Sequence, residues 1–63
     1  MTIGDKCRIV NDWLPQKAKS KKVQIIKFQK NGALKYAQIR WLGNIDYTEE
    51  YGTIFPIGEL RKI

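Results

Sequence analysis

The sequence predicts an all-β fold in one domain of residues 1–63, and three observations carry that expectation. Asn31-Gly32, a strong short-range hairpin signal, lies between two runs rich in Val, Ile, Phe and Tyr, at 23–30 and 34–42. Gly4-Asp5, Asn11-Asp12, Gly43-Asn44 and Pro56 punctuate the remainder at intervals suited to short strands. No repeat, low-complexity tract or linker divides the chain. A domain of this length buries only about 60% of its unfolded surface, which allows one marginal core.

The elements follow in order. Residues 3–10 carry β-formers behind the Gly4-Asp5 turn signal and stop at Asn11-Asp12, which makes a first strand. Residues 13–22 hold Pro15 and crowded lysines and read as a long loop rather than a helix. Residues 23–30 form a second strand, and Asn31 and Gly32 supply the two positive-φ positions of a type I′ turn. A third strand covers 34–42, a polar and acidic loop covers 43–50, and a fourth strand at 51–55 is ended by Pro56. Residues 57–63 read as one short helical turn and a closing strand. With Asn31 and Gly32 at the turn, Phe28 faces Lys35, Ile26 faces Ala37 and Gln24 faces Ile39. One sheet face then collects Ile26, Phe28, Ala37, Ile39 and Trp41 as the expected core. The other collects Val23, Ile25, Lys27, Gln29, Leu34, Tyr36, Gln38 and Arg40. Five short strands with a long first loop, a tight hairpin and a helical turn before the last strand resemble the plan of a small SH3-like barrel.

Composition removes most chemistry. The chain has no histidine and a single cysteine, Cys7, so the commonest general base, the commonest metal ligand and any intrachain disulfide are absent. A non-enzymatic protein without metal or cofactor is expected. One cysteine suits a reducing cytoplasm. Gly4, Asp5, Lys6 and Arg8 interrupt any signal-peptide run, and no stretch is long enough to span a membrane. Twelve Lys and Arg against six Asp and Glu give a net charge of +6, which points to polyanions: nucleic acid first, an anionic membrane surface second.

The charge is concentrated. Lys17, Lys19, Lys21 and Lys22 place four cations within six residues, a density suited to tracking a phosphate backbone, although a loop kept soluble by lysine has the same appearance. Lys27, Lys35 and Arg40 are candidates for a groove edge, and Tyr36 and Trp13 for stacking or wedge contacts. Lys27 and Arg40 beside Tyr36 equally suit a plain polar sheet face, Trp13 a lid over one end of the fold, and Trp41 the core. Asp46, Glu49 and Glu50 cluster in the second loop with Tyr47 and Tyr51, so the molecule is expected to be bipolar. The expected partner is nucleic acid, DNA before RNA, bound with little sequence preference. The alternative is a protein-interaction module, a small accessory or inhibitor subunit, working through Trp13, Tyr47 and Tyr51. The chain is expected to be a monomer, or a homodimer paired through an edge strand.

Two further resemblances lie at particular residues. The string Gly52-Thr53-Ile54-Phe55-Pro56-Ile57-Gly58-Glu59-Leu60-Arg61-Lys62-Ile63, with Gly4-Asp5-Lys6 near the start, resembles the ends of the plasmid-encoded type II dihydrofolate reductases, small SH3-like barrels that work as tetramers. That family's folate-site strand reads Val-Gln-Ile-Tyr, where this chain has Gly52-Thr53-Ile54-Phe55. Only Ile54 carries over, so the resemblance implies the fold and not the reductase activity. Ile39-Arg40-Trp41, a polar loop and Phe55-Pro56-Ile57-Gly58-Glu59-Leu60 resemble the last strands of Tudor-like and chromo-like modules. In size, charge and its Asn31-Gly32 hairpin the chain also resembles the small basic chromatin proteins of archaea, which implies DNA binding by a sheet face.

Overall fold

The computed structural model describes all 63 residues. Five antiparallel strands form one sheet in the order β4-β3-β2-β1-β5: β1 (Lys6–Ile9), β2 (Val23–Asn31), β3 (Leu34–Trp41), β4 (Ile54–Pro56) and β5 (Leu60–Lys62). A 3₁₀ turn at Ile57–Glu59 links β4 to β5, so the two edge strands are consecutive in the chain although no ladder joins them. One-turn helices α1 (Gln16–Lys19) and α2 (Thr48–Tyr51) occupy the two long connections. No helix is long and apolar enough to cross a membrane.

The β2–β3 hairpin departs from the sequence expectation in two ways. Asn31 pairs with Leu34, so the turn residues are Gly32 and Ala33 rather than Asn31 and Gly32. Gly32 has φ +63° and Ala33 does not have a positive φ, which is the type II′ pattern of glycine at the first central position, not type I′. Phe28 consequently faces Ala37 instead of Lys35. Farther along, the register slips between Ile25 and Lys27, a β-bulge that leaves Ile26 without a partner. A single extra residue reverses the side-chain alternation beyond it. Val23 and Ile25, expected on the outer face, therefore lie opposite Trp41 and Ile39 and are completely buried, while Ile26 and Phe28, expected in the core, remain 43% and 36% exposed. Gln24 moves to the outer face opposite Arg40 rather than Ile39.

The core is built on one face of the sheet, the inner face. Cys7, Ile9, Val23, Ile25, Ala37, Ile39, Trp41, Phe55 and Leu60 come from all five strands, and Leu14, Ala18 and Tyr47 come from the two connections. Burying each large apolar side chain contributes about 1.5–3 kcal/mol, so the two connections are structural cover as much as linkers. The first connection is no free loop: Pro15 precedes a helical turn that buries Ala18, and Asn11 fastens its start. The Asn11 Oδ1 accepts the Leu14 backbone N–H at 3.0 Å, and its Nδ2 donates to the Glu59 carboxylate at 2.7 Å.

Across the second connection, the Tyr47 ring meets the Trp41 ring edge-on with centroids 5.3 Å apart, and the Trp41 Nε1–H donates to the Gly52 carbonyl at 3.0 Å. Gly52 adopts φ +80° and ψ −173°, a conformation available essentially only to glycine. That bend ends α2 and delivers Ile54 to the β4 ladder.

Candidate nucleic-acid interface

Strand alternation and the observed register sort the outer face. It carries Arg61 on β5, Lys6 and Arg8 on β1, Gln24, Lys27 and Gln29 on β2, Leu34, Tyr36, Gln38 and Arg40 on β3, and Ile54 on β4. Lys6, Gln24 and Arg40 form one row across three neighbouring strands, and the Arg40 Nη2 donates to the Gln24 Oε1 at 2.8 Å. Arg8 and Arg61 are direct cross-strand partners, an arrangement of like charges that destabilises a sheet unless something anionic joins it. Lys22, whose carbonyl accepts the Leu42 N–H at 3.0 Å, continues the alternation one step before β2. None of the strand residues on this face is acidic; Asp12 is exposed in the connection after β1.

The other five acids have their own places. Asp5, immediately before β1, continues the inward alternation of Cys7 and accepts the Thr2 N–H at 2.8 Å; this hydrogen bond, with the Lys62 charge 3.9 Å away, holds its carboxyl below the ordinary aspartate value. Asp46 accepts both the hydroxyl and the backbone N–H of Thr48, which lowers its carboxyl in the same direction, the hydroxyl contributing most. Glu49 and Glu50 sit in the first turn of α2 and Glu59 holds Asn11. Lys62–Asp5 is the protein's single ion pair, so eleven of the twelve Lys and Arg have no carboxylate within 4.0 Å.

The nine residues singled out from the sequence fall into separate places. Lys27, Tyr36 and Arg40 share the outer face, and Lys22 abuts it. Lys17 and Lys19 are carried by α1, which packs on the core side through Ala18, and the Lys19 Nζ donates to the Asn11 carbonyl at 3.0 Å. Lys21 is half-buried at the end of that connection. Lys35 lies opposite Lys30 on the inner-face alternation, not on the face of Tyr36. Trp13 is 58% exposed yet stacks on Phe55, with centroids 6.0 Å apart and 13° between planes, so it too is on the core side, away from Tyr36. Tyr47 is buried and Tyr51 half-buried, which leaves no open cage between them.

Sequence reasoning missed Lys6, Arg8 and Arg61. The signal for Lys6 and Arg8 was present as the alternation Lys6-Cys7-Arg8-Ile9 around an apolar inward pair, but the placement of Arg61 opposite Arg8 depends on the long-range β1–β5 pairing. No group of three His, Cys, Asp or Glu side chains converges to hold a metal. No family model, curated protein or solved structure matches the chain.

Proposed function

We propose that this protein is a non-enzymatic, cytoplasmic SH3-like barrel that binds nucleic acid, DNA in preference to RNA, with little sequence specificity. The fold assignment draws on the strand order, in which the two edge strands β4 and β5 are consecutive in the chain, and on the 3₁₀ turn between them. The observation that carries the functional reading is the basic outer face, whose strand residues include no acid, with Arg8 directly opposite Arg61 and Tyr36 on the same face as Lys27 and Arg40. Phosphates are met by Lys6, Arg8, Lys22, Lys27, Arg40 and Arg61, which position the polyanion without reading bases. The Tyr36 ring, half-exposed among them, supplies the stacking or groove contact. The acidic turn of α2 lies on the opposite side of the sheet, so the molecular charge asymmetry orients the approach.

The experiment is a fluorescence-anisotropy titration with random-sequence duplex and single-stranded DNA and RNA across a salt series. Absence of binding at low salt sinks the reading. A second reading rests on Trp13, a large exposed indole held flat by Phe55 and edge-on to Tyr51, as an anchor for a protein partner. In that case Trp13→Ala abolishes partner binding and leaves DNA affinity unchanged.

A further inference from the structure

A depression of about 340 Å³ lies at the free end of the β2–β3 hairpin, lined by Met1, Phe28, Gln29, Lys30, Lys35 and Ile57. Its volume falls at the lower end of the range of small-ligand sites, roughly 300–1,000 Å³. The floor is apolar and includes the Phe28 ring, 36% exposed. Lys30 and Lys35 are direct cross-strand partners, and no acid is among the lining residues. Two lysines paired across the hairpin and a partly exposed aromatic residue in one lining match a ligand with an anionic group joined to a flat, apolar-faced body.

The sheet leaves this site open to the outer face. β1 pairs with β2 at Val23 and Gln24 and reaches Ile25 only through Gly4 and Asp5, so β2 has no strand partner on that side beyond the Ile26 bulge, where Met1 shares the lining of the depression. Gln29, an outer-face position, is nevertheless among the residues lining the depression. A strand leaving the outer face can turn around this edge, which has no strand partner.

We propose that the depression holds one unpaired nucleotide of the bound nucleic acid, the base stacked on Phe28 and its flanking phosphate between Lys30 and Lys35. The occupant rests on the nucleic-acid reading; the site's chemistry rests on its own residues. Stacking of this kind accepts any base, since every base offers a π face.

The test compares a blunt 12-base-pair duplex with the same duplex carrying a 3′ single-stranded tail, by anisotropy, for the parent protein and for Phe28→Leu and Lys30→Gln/Lys35→Gln variants whose folding is checked by circular dichroism. The tailed duplex is expected to bind about tenfold more tightly, equivalent to ~1.4 kcal/mol for one stacked base. Both variants are expected to lose that advantage and keep the parent's blunt-duplex affinity. Equal affinity for tailed and blunt duplex overturns the proposal. Amide chemical-shift titrations with dAMP, inorganic phosphate and hexanoate separate the remaining cases. Shifts at Phe28, Lys30 and Lys35 that are specific to dAMP support the nucleotide site even if blunt duplex does not bind, in which event only the outer-face reading fails. Equal shifts with phosphate or hexanoate overturn it.

Discussion

Reversing charge on the sheet face and on the first connection separates two accounts of the same net charge. The face variant is Arg8→Glu with Arg40→Glu; the control is Lys17→Glu with Lys19→Glu, which changes formal charge equally but on the core side. If the outer-face cations Lys6, Arg8, Lys22, Lys27, Arg40 and Arg61 supply about five phosphate contacts, log K falls against log salt with a slope of about −4.5 on duplex DNA. A fourfold rise in salt then weakens binding by roughly 500-fold. Removing two of those contacts reduces the slope by about 1.8, to about −2.7, and the two introduced carboxylates weaken binding further at low salt. Anisotropy with a random 16-base-pair duplex from 50 to 200 mM KCl measures both quantities. The control is expected to retain the parent slope, since Lys19 is already engaged with the Asn11 carbonyl and Lys17 projects from α1. A control that loses as much slope as the face variant refutes the placement, and a parent slope near zero refutes phosphate binding altogether.

Three other outcomes follow from the packing. Asn11→Ala strands the Leu14 N–H and the Glu59 carboxylate, so a loss of about 1–3 kcal/mol is expected, seen as a fall in Tm of roughly 8–23 °C by thermal denaturation. Cys7 is fully buried, and removal from solvent, followed by the nearby Asp5 charge, raises its thiol above the ordinary value; alkylation of the native protein at pH 8 is therefore expected only at the rate of global opening, and rapid labelling would contradict the core assignment. Asp5 and Asp46 both titrate below the ordinary aspartate value, so each stabilises the fold above about pH 4 and loses that contribution as pH falls through its folded value. Tm should be flat in this respect from pH 7 to 5 and drop below about 4, with the drop diminished in Asp5→Asn; an unchanged low-pH profile in that variant would sink the assignment for Asp5.

Much of the architecture was legible because strand signals are local. The β-former runs, the Asn31-Gly32 punctuation and Pro56 located all five strands, with β2 ending at Asn31 and β3 at Trp41, one residue from the expected bounds. β1 proved shorter than 3–10, and β4 began at Ile54 rather than 51, because residues 48–51 complete a helical turn that Gly52 then stops. That turn was hidden by the polar composition of 43–50. What makes it fold is Tyr47 docking on Trp41, a contact with a partner in another element. The helical turn in the first connection was hidden in the same way, since lysine spacing says nothing about the burial of Leu14 and Ala18. Of the candidate residues, Lys27, Tyr36 and Arg40 were grouped correctly on one face, while Trp13 and Lys35 were grouped with residues that the fold places elsewhere.

Charge, the lack of histidine, the single cysteine and the five-strand plan are readable from residue identities alone, because each depends on composition or on neighbours within a few positions. Which cations share a face is a different kind of fact. It turns on one unpaired residue, Ile26, and on the pairing of Arg8 with Arg61 across the β1–β5 ladder. A side-chain period of two makes the first a reversal of every face assignment on one side of the bulge, and a partner more than fifty residues away makes the second invisible to any local pattern. The sheet thereby converts a lysine-rich loop, the most conspicuous feature of the sequence, into cover for the core, and gathers Lys6, Arg8, Lys27, Arg40 and Arg61 onto its basic outer face.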